Sequence, residues 1–143
     1  MNVGTEQPGF TRKLNAGHVV AIGSVLCATA LAERVPGFTS GHRYLLCHAS
    51  STLDHLTLTA LALVLASGVA ALAGAIMMQS KESHRPGLPL LWLVVVVALL
   101  VAADGVDAHG EVLATQLSAT PFTEGACDYT PQDYVATPGW FFW

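Results

Sequence analysis

Three apolar stretches, Leu14–Ala32, Leu56–Met78 and Leu88–Ala103, dominate the chain, each bounded by charged or turn-forming residues. A hydrocarbon layer about 30 Å thick is crossed by about 20 helical residues rising 1.5 Å apiece. The second stretch meets that length outright. The first, at roughly 19 residues, is just adequate, and the third, about 16 residues to Asp104, reaches it by running on through Val106 or His109 with its last turn in the interface. Lipid offers no partner to a bare backbone N–H or C=O, so only helices and closed barrels cross it. None of the three runs shows the period-two alternation of a barrel strand. The expectation is an all-α integral membrane protein with three transmembrane helices over about residues 14–33, 54–79 and 87–106. They lie in a transmembrane domain spanning 14–110, between an N-terminal segment 1–13 and an ordered acidic extramembrane tail 111–143.

Composition narrows the function classes. Hydrophobic residues make up 52% of the chain and charged residues 11%, against about 25% charged in an ordinary soluble domain. Six Lys+Arg against ten Asp+Glu leave a net charge of −4, and no basic cluster exceeds Arg12-Lys13, so a nucleic-acid partner is not expected. Apolar content this high, gathered in blocks, also excludes intrinsic disorder.

The first stretch has a second reading as a cleavable signal peptide: Arg12-Lys13 opens it and Ala30-Leu31-Ala32 resembles a small-x-small cleavage site before Glu33. We read it as a retained helix. Orientation follows the basic residues. With the N-terminus in the cytoplasm, Arg12, Lys13, Lys81 and Arg85 lie inside and only Arg34 and Arg43 outside, which puts the C-terminal tail in a periplasmic or equivalent extracytoplasmic space. That tail, punctuated by Pro121, Pro131 and Pro138, closes on Trp140, Phe141, Phe142 and Trp143. Trp and Tyr favour the membrane–water interface, so the terminal four residues are candidate interface anchors.

Helix two carries small residues at a four-residue interval, Ala62, Ala66, Ala70 and Gly74, with Ser67, Ala71 and Ala75 on the adjacent ridge. Small ridges let helix backbones approach closely, a main source of helix association in lipid. Two such ridges exceed what a lone three-helix hairpin needs, which points to other integral membrane subunits as partners.

No charged residue sits in the middle of an apolar run, whereas proton relays and ion pathways leave ionisable groups at membrane depth. A transporter is thereby disfavoured. Histidine is the one suggestive group: His48, His55 and His109 map to the outer side with Asp104 and Asp107. Such a set can bind copper or zinc, and His55 with His109 can in principle hold a haem b between two helices. The spacing is not that of a metal motif, and no nucleophile elbow, phosphate loop or dinucleotide fingerprint is present, so no catalytic residue is expected.

Of three cysteines, Cys27 falls in the first apolar stretch, while Cys47 and Cys127 fall on the same outer side and are expected to pair if that side is oxidising. Taken together, these features suggest a non-catalytic accessory subunit of a multi-subunit membrane complex, with an energy-transducing respiratory or photosynthetic complex as host and bound lipid as company. The alternatives are a haem- or copper-binding redox subunit using the outer His and Asp residues and a self-associating scaffold or small transporter protomer, with haem b, copper and pigment the cofactors left open.

Overall fold

The computed structural model describes residues 16–35, 41–79, 87–121, 123 and 125–142. In chain order the elements are α1 (Ala16–Ala32), β1 (Arg43–Leu46), α2 (Ser51–Gln79), α3 (Leu88–Ser118) and β2 (Gln132–Val135). Two helices, α2 and α3, are long and apolar enough to cross a membrane. Their 29 and 31 residues reach about 44 and 46 Å at 1.5 Å per residue. The described part of α1 is shorter, 17 residues or about 25 Å.

Local chemistry explains the helix starts. Asp54 sits in the first turn of α2, where a carboxylate complements the partial positive charge of unpaired N–H groups. Pro89 occupies the first turn of α3, where its missing N–H costs nothing.

The helices pack along a seam of small and branched side chains. Ala30 of α1, Val64 and Ala71 of α2, and Val96, Leu100 and Ala103 of α3 form one buried cluster. A second cluster, Leu46, Leu53 and Ala114, lies at the end of the bundle where α1 finishes, α2 begins and α3 finishes. The strands meet at that end too: β1 and β2 pair antiparallel in register, Arg43 opposite Val135 and Leu46 opposite Gln132.

Three expectations need correction. The fold is mostly helical rather than all-α, because residues distant in sequence pair into this small sheet. The third helix does not stop near 106 but runs to Ser118, so residues 111–118 belong to α3 and not to the tail. The second begins at Ser51 rather than 54. The polar residues that seemed to end the third apolar run are in fact inside α3, facing partners from the tail and from the segment after α1.

Candidate functional site

The tail lies across the end of the bundle as a strap, fastened at successive points. Cys47, just after β1, is joined by a disulfide to Cys127, with a Cα–Cα separation of 4.7 Å. Beside it the Asp128 N–H donates to the Cys47 carbonyl at 2.9 Å. The Asp128 carboxylate accepts from the Ala49 N–H at 3.0 Å and lies 3.3 Å from His48 Nδ1. These contacts, the backbone N–H foremost, hold the Asp128 carboxyl below the usual aspartate range. Gln132 then bridges two elements: its Oε1 accepts from Ser50 N–H at 2.7 Å and its Nε2 donates to Asp54 at 2.9 Å.

Along the sheet, Arg43 pairs with Asp133 across the strands. Glu111 of α3 gathers the Tyr44 hydroxyl at 3.1 Å and His42 Nδ1 at 2.7 Å onto one oxygen. The Tyr134 ring, 6.4 Å from that of Tyr44, places its hydroxyl over Gly110 of α3. Burial, followed by the nearby charges of Asp107 and Glu111, pushes the Tyr134 phenol above its usual pKa.

The last fastening is the most concentrated. Asp104 of α3 accepts three consecutive backbone N–H groups, from Trp140 at 2.8 Å, Phe141 at 2.7 Å and Phe142 at 3.1 Å. The Trp140 indole N–H reaches back to the Glu33 carboxylate at 2.7 and 2.6 Å. Arg34 beside it donates to the Ala30 carbonyl at 2.8 Å and pairs with Asp107. Thus Glu33 and Arg34, directly after α1, tie the first helix to both the tail and α3.

The residues singled out from sequence are distributed unevenly over this arrangement. Cys47 and Cys127 are joined, and Cys27 is free, its thiol 3.5 Å from the Val64 carbonyl. His48 belongs to the Asp128 fastening, while His55 and His109 are exposed. Asp104 and Asp107 serve the strap and Arg34. Among the described residues, no three His, Cys, Asp or Glu side chains are grouped to hold a metal ion.

The small-residue ridge twists around α2. Ala62 and Ala66 are exposed, Ala70 is half-buried and Gly74 is buried, where an added Cβ would stand 2.6 Å from the Trp92 ring. The inner seam of α2 is instead Ala60, Val64, Ser67 and Ala71. Trp140, Phe141 and Phe142 are all exposed, and Trp143 lies outside the described residues, as do Arg12, Lys13, Lys81 and Arg85.

Sequence reasoning did not single out Glu33, Glu111, Gln132 or Gly110, which hold the strap. A signal existed for Glu33 and Arg34: two charges straight after an apolar run, level with Asp104 and Asp107 spaced three apart on a facing helix. Between the start of α2 and β2 lies an open cleft of about 550 Å³, with Leu58 and Leu61 on one wall and Tyr134 and Val135 on the other. Comparison with protein-family models, with curated proteins and with solved structures finds no match for the chain.

Proposed function

We propose that the chain is a non-catalytic accessory subunit of a multi-subunit membrane complex, crossing the bilayer three times with the strapped end on the extracytoplasmic side. The observation that carries this reading is the outward placement of Ala62 and Ala66 on α2 while a separate seam, Ala60–Val64–Ser67–Ala71, meets the protein's own helices. Small residues facing lipid gain nothing there, whereas against another helix they permit close backbone approach. Leu58, Leu65 and Val69, all exposed, flank these alanines and supply the contact area around them.

The disulfide supports the orientation, since Cys47 and Cys127 stay joined only where the compartment is oxidising. The host we assign is an energy-transducing complex, respiratory or photosynthetic, in which a small rigid subunit stabilises neighbours and shields their cofactors. The apolar wall of the cleft, Leu58 and Leu61, would give a lipid chain a place to lie in a subunit wedged between larger ones.

A photo-crosslinking amino acid at position 66, activated in native membranes, tests this. One integral membrane protein of defined mass, captured at 66 and not from a position on the inner seam, is the expected product. Adducts to lipid alone would contradict the reading.

A further inference from the structure

At the end of the strap the chain turns its polar atoms inward and its rings outward. The backbone N–H groups of Trp140, Phe141 and Phe142 all donate to Asp104, and the indole N–H of Trp140 donates to Glu33. What faces away is ring surface, 37% exposed for Trp140, 56% for Phe141 and 53% for Phe142. A backbone whose donors are satisfied from within can leave water without the penalty of unpaired N–H groups.

The same contacts set the depth of the segment. Asp104 closes the apolar run Leu88–Ala103 of α3, and Glu33 follows the last residue of α1. The rings therefore stand at the level where both helices pass from apolar to polar, which is the level the amphipathic indole prefers in a bilayer, with the two phenyl rings on the side that beds into the acyl boundary. Phe142 lies against α3 itself, its ring 3.7 Å from where a Cβ on Gly105 would stand. The patch thus adjoins the helix whose exposed Leu90, Leu91, Val94 and Val97 would meet lipid in the membrane.

Charge separates the available surfaces. Residues 104–143 contain no Lys or Arg, so the strap brings no cation of its own to anionic headgroups. Ring burial is what remains, and it is insensitive to salt.

We propose that Trp140, Phe141 and Phe142 form a re-entrant interfacial anchor. It beds into the headgroup–acyl boundary of the bilayer on the strapped side and fixes the depth of the bundle against a neutral phospholipid surface. The inference rests on the membrane placement above, and not on membership of a complex.

The test uses the full chain in phosphatidylcholine vesicles and two single-tryptophan variants. W92F/W143F retains Trp140, and W140F/W143F retains Trp92 in α3 as a reporter of helix insertion. Lipids brominated near the headgroup end of the acyl chain quench neighbouring indoles. The anchor requires blue-shifted Trp140 emission that is lost in brominated vesicles and unchanged when salt is raised, with Trp92 quenched as well. Adding F141S/F142S to the Trp140 variant should red-shift its emission while the disulfide still forms. Quenching of Trp92 alone, with Trp140 emitting as a wet indole, would overturn the anchor and leave the membrane placement standing. Quenching of neither would overturn both, and a Trp140 signal indifferent to F141S/F142S would overturn the anchor.

Discussion

The hydroxyl of Tyr134 occupies the space that a side chain on Gly110 would need: a Cβ built there comes within 2.6 Å of it. Glycine at this point of α3 lets β2 lie directly on the helix, with Tyr134 among the apolar residues packed beside Leu46, Leu53 and Ala114. Replacement of Gly110 by alanine should push the ring out and cost about 1–3 kcal/mol, the usual cost of overpacking, against a small helix-propensity gain. Thermal unfolding in detergent measures it, and Tyr134→Phe on the G110A background should recover part of the loss.

Asp104 should control the end of the strap. Substitution by alanine leaves the N–H groups of 140–142 without their acceptor, at about 1–3 kcal/mol for each one that finds no other partner. Hydrogen exchange at these three amides should accelerate markedly in D104A, while the Ala136 amide, which donates to the His42 carbonyl, keeps its protection.

How far the sequence discloses this architecture depends on whether a feature is local. The apolar runs announce α2 and α3, because continuous Leu, Val and Ala over a membrane's thickness admit no other backbone. The end of α3 is hidden: Asp104, Asp107 and Glu111 look like the edge of lipid, and only their partners Phe141, Arg34 and Tyr44 show why the helix continues through them. The sheet is hidden for a related reason, since β1 and β2 are four residues each, lie far apart and bear no strong alternation. Cys47 and Cys127 could be matched because, of three cysteines, they alone lie outside the apolar runs. Ala62 and Ala66 stand out as a packing ridge by spacing alone, but spacing does not say which ridge faces inward; the bulkier Val64 on the neighbouring line takes that place.

The disulfide closes a sequence separation of 80 residues. In the chain-entropy view such a bridge stabilises by at most about 4.5 kcal/mol, and by less here because the helices already hold both ends. Alkylation of the unfolded, unreduced chain should modify Cys27 alone. C47S/C127S should fold with a lower unfolding temperature and a strap cleaved faster by protease.

Acid should loosen the first fastening. Asp128 is charged in the fold and its pKa lies below the unfolded value of 3.8, so its contribution is present above that pH and is lost as pH falls through the lower folded value. Protection of the Ala49 amide, which donates to this carboxylate, should therefore fall in the native protein as pH drops through that lower folded value. In D128N the same amide should exchange faster at neutral pH and lose that acid dependence.

The mass of the native particle addresses assembly most directly. The chain weighs 15.0 kDa, and if it is the accessory subunit proposed above, the particle extracted in a mild detergent and weighed by native mass spectrometry should contain one copy per set of larger integral membrane subunits at fixed stoichiometry. A62L/A66L should abolish that particle while the Cys47–Cys127 bridge and the protected amides of 140–142 persist. A wild-type chain that leaves its native membrane as a lone 15.0 kDa monomer, or a particle untouched by A62L/A66L, would contradict an assembly face on α2.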